Sequence, residues 1–395
     1  MTCSRTAAGV ALAGTLALTL TGCSGDQPEP ACSRALTGGL TLAYGVHQNA
    51  PAAALAADPD VACLVGRAVR DGAPISVVAI DGTPQALLRN LVVPVDDSDP
   101  DRHERDLEAG TDAVLSAIAG ATADSDGSDV AAALGIVSDL AAASPAAHTT
   151  VLVYDSLLPD TGLVDMTDPA WALAEPVDVA DHLTATGNLP DTTGTDWVLV
   201  GAGYTAAPQE PLPDAQRRRV SEVWLEVLRR GGADAAEAVP LPQQGDGPDT
   251  PFTTGTVPVD TYPDPEPPCT AAPLVFDGTS AVRFLAESTE LADPAAAAQA
   301  LAGIGRWLAA DPARRAEVVG TTADVGDPAG QRELAGRRAA AVVQLIAATP
   351  GVTGGQLTSV GVGSDFPEYV PDADDPAARQ ANRSVRISLS GPADC

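Results

Sequence analysis

The sequence predicts two folded units of different class. Residues 32–240 read as a three-layer α/β domain on a mostly parallel sheet, and residues 274–395 as an α+β sandwich of β-α-β-α-β-β order. Three observations carry this. Short apolar runs bounded by turn residues alternate with longer helical stretches through the first unit, as buried parallel strands joined by crossover helices do. The second unit closes on a strand in which Val385, Ile387 and Leu389 alternate with polar neighbours, the period of a half-buried sheet. Between the units, residues 241–273 hold nine prolines and little periodic hydrophobicity, the composition of an extended, fairly stiff linker.

The elements follow in order. In the first unit, strands are expected over 40–46, 75–80, 91–95, 150–154 and 197–201, and helices over 52–69, 104–121, 130–143 and 215–230. The last helix places Val220, Val223, Trp224, Val227 and Leu228 on one face, the stripe an amphipathic helix turns to a core. In the second unit, strands are expected over 281–284, 317–321, 359–362 and 384–389, and helices over 294–309 and 331–348. Ala297, Leu301, Ile304 and Leu308 share one stripe of the first of these helices.

Residues 1–22 have the layout of an export signal: Arg5, an apolar run over 7–21, then Leu20-Thr21-Gly22-Cys23. The run is shorter than the ~20 residues a bilayer span needs. A small-residue site ending in cysteine resembles the lipobox of bacterial lipoproteins, which implies acylation of Cys23, with residues 23–31 as a polar stalk. The chain is then expected on the extracytoplasmic face of the membrane, lipid-anchored in the cell envelope. Loss of residues 1–22 removes one arginine and no acid, so the net charge moves from −31 to −32. Every basic residue other than histidine is arginine. So acidic a chain is repelled by phosphate backbones, which excludes nucleic acid as a partner.

Four cysteines remain: Cys32, Cys63, Cys269 and Cys395. In an oxidising compartment an even number suggests two disulfides. Three pairings are open, and Cys32–Cys63 with Cys269–Cys395 keeps each bond within one unit. No cysteine or histidine spacing suits zinc.

The first unit is similar in its order of pieces to the von Willebrand factor A fold. Gly127-Ser128-Asp129 precedes a middle helix and Val151-Leu-Val-Tyr-Asp155 ends a later strand, as that resemblance requires. Gly45-Val-His-Gln-Asn49 stands where the family carries its Asp-x-Ser-x-Ser metal motif. Without the leading carboxylate and both hydroxyls, the hard oxygen set a divalent ion needs is missing, so no metal is expected. The resemblance leaves this unit as a protein-interaction module, with an envelope protein as its partner.

The second unit resembles the OmpA-like peptidoglycan-binding domains. Leu334-Ala-Gly-Arg-Arg-Ala339, Gly361-Val-Gly-Ser-Asp-Phe-Pro367 and Asn382-Arg383-Ser-Val-Arg-Ile387 carry the resemblance. It implies that Arg338 and the turn Thr322, Ala323 and Asp324 hold the diaminopimelate of the peptidoglycan stem peptide, with Gln331 at a position that often bears an amide. The chemistry is that of an amino acid receptor: a guanidinium clasps the carboxylate through two parallel bonds and an acid takes the amino group. Backbone N–H groups at the helix start are expected to assist. Ala323 stands at the family's aspartate position and Asp324 one place later; in a strand that shift reverses the side chain, whereas in a turn a local backbone change lets Asp324 reach the ligand. The reading requires Arg338 to face an open groove. The alternative is a domain that keeps its shape and has lost its ligand, with Arg337 solvated and Arg338 in a structural ion pair.

Gly201-Ala-Gly-Tyr-Thr-Ala206 follows a strand, but Pro208, Pro211 and Pro213 leave no helix directly behind it for a pyrophosphate. His47, His103, His148 and His182 are scattered and form no HExxH, and Asp372-Ala-Asp-Asp375 reads as a solvated loop. No nucleophile–base pairing is visible and no cofactor is implied. The chain is expected to be a non-catalytic lipoprotein tethering membrane to peptidoglycan. The alternative is a lipoprotein whose α/β domain captures a small solute near residues 45–49, Asp155 and residues 201–204.

Overall fold

A computed structural model describes residues 32, 34–50, 55–95, 99–241, 246–259, 272–285, 287–371 and 375–392. The expected export signal and lipobox cysteine Cys23, and both Cys269 and Cys395, lie outside the described residues.

The first unit runs β1 (Gly39–Gly45), α1 (Pro59–Arg70), β2 (Ile75–Ile80), β3 (Gln85–Leu91), α2 (Pro100–Ala119), α3 (Val130–Ala142), β4 (Thr149–Tyr154), α4 (Pro169–Ala172), α5 (Pro176–Ala185), β5 (Thr195–Val200), α6 (Asp214–Arg230) and β6 (Ala235–Val239). Its sheet has the order β3-β2-β1-β4-β5-β6, parallel except for β3. Strand residues alternate between two cores. Ala43, Val78 and Leu199 meet α3, α5 and α6 on one face, while Leu42, Val77 and Val198 meet α1 and α2 on the other. Cys32 and Cys63 form a disulfide with Cα atoms 5.6 Å apart, tying the chain entrance to α1.

The strand expected over 91–95 lies earlier, at β3. It is an edge strand with a half-exposed, polar face, and its register against β2 is irregular near Asn90, so apolar alternation does not mark it. The edge strand β6 and helices α4 and α5 have no counterpart among the expected elements. Residues 246–259, within the proline-rich stretch, lie across the C-terminal ends of the parallel strands. Gly127 N donates to Thr253 O, and Val257 N and O pair with the Gln209 side chain.

The second unit runs β7 (Leu274–Phe276), α7 (Pro294–Ala310), β8 (Arg315–Thr321), α8 (Pro328–Ala347), β9 (Leu357–Gly363), α9 (Pro376–Asn382) and β10 (Val385–Ser390). The sheet order is β7-β10-β8-β9, with β10 antiparallel to its neighbours and β8 parallel to β9. The expected order holds, with α9 inserted before the last strand. The first strand is β7 rather than 281–284. Ala281, Val282 and Phe284 are buried in the core, so their apolar signal reports burial; of these, Phe284 alone makes an isolated bridge, to Leu291.

Among the described residues, six helices (α1, α2, α4, α7, α8 and α9) begin on the dipeptide Asp-Pro, with Asp58, Asp99, Asp168, Asp293, Asp327 and Asp375 each accepting backbone N–H bonds at the N-cap. Aspartate satisfies the orphan donors and proline presets the first helical residue. Part of the chain's acidity is therefore capping. α5 departs from this pattern: it begins Glu175-Pro176, and Glu175 makes no cap bond.

The Gly-x-Gly segment is a packing device. A Cβ on Gly361 would lie 2.2 Å from Gly336 N and 2.4 Å from Arg332 O, both backbone atoms of α8. Gly361→Ala is therefore expected to weaken the second unit by ~1–3 kcal/mol, the range for overpacking. Gly354→Ala, where no atom lies within 4 Å, should be nearly neutral. Thermal unfolding of the two variants against the parent checks this.

Candidate functional site

β8 ends at Thr321, and the chain turns through Thr322–Gly326 into α8. Beneath this turn lies a cleft of about 260 Å³ whose walls include Thr322, Ala323, Val325 and Gly326 from the turn, and Gln331, Leu334, Arg337 and Arg338 from α8. Arg383 closes one side. Glu175 and Val177, from the start of α5 in the first unit, form another wall. Two pieces of chain some 150 residues apart thus share one site, which the sequence placed in the second unit alone.

Arg338 lies midway along α8 and is only 7% exposed. Its Nε donates to Ser288 O at 2.8 Å and Nη2 to Leu285 O at 3.1 Å, and the guanidinium carbon lies over the Phe284 ring, 5.3 Å from its centroid. Burial lowers its pKa from the usual arginine value, while the nearby Glu175 charge opposes that shift. Among the described residues no carboxylate lies within ion-pair distance of it. The expectation of an open groove is corrected in this respect: the cation faces the cleft from a nearly closed position, held by carbonyls rather than by an internal acid. Arg337 is half-exposed and pairs with Glu333 one turn back.

The turn is braced from below. Gln331 Nε2 donates to Asp324 Oδ1 at 2.9 Å and to the carbonyls of Val325 and Gly326, and Gln331 Oε1 accepts from Ser364 Oγ at 2.8 Å. Ala323 lines the cleft and is buried; Asp324 is exposed and is not among the lining residues. Asp324, one place after Ala323, thus falls away from the cleft. Thr322 Oγ1 is buried on the cleft wall with no hydrogen-bond partner among the described residues. The helix start offers less than expected: Asp327 Oδ2 already accepts from Ala329 N and Gly330 N.

The Asn-Arg signature divides its labour. Asn382, fully buried, accepts from Val370 N and donates to Val370 O, while Thr321 Oγ1 ties β8 to Asn382 and Ser384. Arg383 crosses to the first unit. Its Nη1 and Nη2 donate to the two oxygens of Asp178, the second at 2.9 Å, and Arg379 Nη1 donates to Asp178 at 2.9 Å and Asp181 at 3.1 Å. Asp178 is 1% exposed. Sequence reasoning named none of Glu175, Asp178, Asp181 or Arg379. The usable signal was the Glu-Pro start of α5 among Asp-Pro starts.

Adjacent β1 and β4 mark the point where the strand order reverses, the switch point at whose C-terminal ends α/β sheets bind ligands. There His47 Nε2 lies 2.9 Å from Asp155 Oδ2, both groups buried, and Asn49 Nδ2 donates to Gly255 O. Residues 246–259 cover this end. Ser128 precedes α3 and Asp155 follows β4. Among the described residues, no three His, Cys, Asp or Glu side chains are grouped to hold a metal. Pro208, Pro211 and Pro213 separate residues 201–206 from α6, which begins at Asp214.

Residues 283–383 match the OmpA family profile, so the second unit is OmpA-like; the match covers about a quarter of the chain. Among solved structures, the chain is similar to the peptidoglycan-associated lipoprotein of Burkholderia pseudomallei (22% identity, 30% of this chain and 90% of that one, TM-score 0.25). It is also similar to the periplasmic domain of Helicobacter pylori MotB (21%, 32% and 80%, TM-score 0.26) and to the cell wall anchor of the T6SS from Pseudomonas aeruginosa (20%, 30% and 80%, TM-score 0.25). A search of curated protein sequences returns no match.

Burial raises the Glu175 pKa above the ordinary carboxylate value, against the lowering influence of Arg219, Arg383 and Arg338 and with Asp178 adding to the rise. A raised folded-state value means that the folded chain holds this proton more tightly than the unfolded one. The group is neutral in both states below ~4.3, and its ionisation destabilises the fold as pH rises past that point. The denaturation midpoint of Glu175→Gln minus that of the parent should therefore grow as pH is raised from about 4 to about 7. A difference that shrinks with pH would mean that ionised Glu175 stabilises the fold.

Proposed function

We propose that the chain is a non-catalytic envelope lipoprotein that tethers the membrane to the cell wall. On this reading Cys23 carries the lipid and the OmpA-like domain holds the peptidoglycan stem peptide, without covalent chemistry, in the cleft beneath the β8–α8 turn. The observation that carries it is Arg338: a guanidinium whose only partners among the described residues are two carbonyls and a ring face, lining a cleft of about 260 Å³ beside the unpartnered hydroxyl of Thr322. Buried cations without a counter-ion attract a carboxylate strongly, and diaminopimelate supplies one. The OmpA match over 283–383 and the motifs around Arg338 and Arg383 support the same ligand. Asp324 and Gln331 serve indirectly, by fixing the turn.

The von Willebrand factor A-like assignment of the first unit belongs to this proposal. The strand order β3-β2-β1-β4-β5-β6 with one antiparallel edge supports it, and its role on this reading is to present a surface to an envelope protein. No helix among the described residues is long and apolar enough to cross a membrane. The solute-binding alternative needs an opening at the C-terminal strand ends, which residues 246–259 cover.

Sedimentation of the purified extracytoplasmic chain with insoluble peptidoglycan tests the reading. The parent should be retained. Arg338→Ala should lose about 2–4 kcal/mol of binding, the scale for removing one partner of a buried charge pair, and Asp324→Ala clearly less. Equal retention of parent and Arg338→Ala removes the proposed site.

A further inference from the structure

The contact between the two units differs in kind from the interior of either. Each hydrophobic core is made within one unit, and no core cluster mixes residues from both. What joins them at the cleft is charge: Asp178, at the bottom of a contact between α5 and α9, is shared by Arg379 and Arg383, and Asp181 adds a second partner to Arg379. Polar joins of this type between domains are the ones that open.

Glu175 is the second observation. It begins α5 where the other proline-led helix starts, Asp-Pro, use the shorter acid as a cap, and it caps nothing. Its longer side chain instead lines the same cleft as Arg338 and Arg383 and interacts electrostatically with both, as well as with Arg219. The Glu175 carboxyl shares this cleft with Arg338 and Arg383, and a smaller adjoining one with Arg219 as well, and so occupies the space a ligand carboxylate would take. A receptor for an ammonium would not gather cations around its acid.

We infer that the first unit is a built-in competitor for the wall site: the α5 start, with Glu175 and Val177 in the cleft and Asp178 clamping Arg379 and Arg383, holds the OmpA-like domain closed, and stem-peptide binding requires the two units to part. The inference rests on the wall-binding reading and adds its regulation. Opening exposes Arg338 and releases Arg383, which already lines the cleft, from Asp178, so the ligand and the α5 start exclude one another. Anything that draws the first unit away, such as its own partner, raises wall affinity by the linkage that joins any two exclusive equilibria.

Asp178→Asn weakens the clamp at a residue outside the cleft and keeps the side-chain shape. In the full extracytoplasmic chain, two readouts separate the latch from the wall reading. Amide hydrogen exchange over residues 322–326 should quicken at least about tenfold in Asp178→Asn, and its affinity for insoluble peptidoglycan should rise by about tenfold, within the usual range of coupling between sites. Arg338→Ala on the Asp178→Asn background should abolish that gain. A folded Asp178→Asn chain, judged by circular dichroism, with unchanged exchange and unchanged affinity would overturn the latch and leave wall binding standing. Reduced affinity would overturn it in favour of a receptor to which α5 contributes. Faster exchange with no retention of any variant would remove the wall reading, and the competition with it.

Discussion

One carboxylate, that of Asp178, organises the arrangement. Buried carboxylates are stable only when their oxygens are hydrogen-bonded and their charge is matched. Asp178 meets both conditions with arginines that belong to the other unit. The placement of α5 against α9 follows from this, and so do the position of Glu175 in the cleft and the shielding of Arg338. Removing either arginine would leave Asp178 with one of its two, and removing Asp178 would take both bonds from Arg383 and one from Arg379, which keeps Asp181. An interaction with so sharp a dependence on both partners suits a joint with two defined states better than a permanent core.

Arg338 gains its character from the same logic. Two carbonyls and an aromatic face satisfy its hydrogen-bond geometry without cancelling its charge. The segment that supplies those carbonyls passes through Glu287, a non-glycine residue at φ 48°, a conformation that side chains adopt at a cost of order 1 kcal/mol. The chain accepts that conformation in a loop whose carbonyls cradle a cation. Across the cleft, Gln331 holds the turn through three bonds and is itself held by a fourth from Ser364, which braces the wall that faces Arg338.

The parts of this architecture that could be read in the sequence were those in which one residue's environment is settled locally. β1, β2 and β4 are buried on both faces and appear as uninterrupted apolar runs. β3 and β6 lie at the sheet edges, where one side of the strand meets water and the alternation dissolves. The Gly-x-Gly segment was legible as a family mark, and its physical cause, the approach of Gly361 to the backbone of α8, required coordinates. The sequence set Asp324 one place beyond Ala323, but the side on which each falls depends on Gln331, whose bonding cannot be deduced from spacing. Glu175, Asp178 and Arg383 escaped notice as a group because the pairs span some 200 residues, and no local pattern links one acid on a short helix to an arginine so distant.

The account depends on recognition of a carboxylate by guanidinium in the cleft. Isothermal titration of the full extracytoplasmic chain with a soluble diaminopimelate-containing stem tripeptide, compared with the same peptide amidated at the diaminopimelate carboxylate, measures that directly. Binding of the free acid at least about tenfold tighter than the amide, the scale set by one charge-assisted pair, is the expected result. Equal affinity for the two peptides, or preference for the amide, would contradict it.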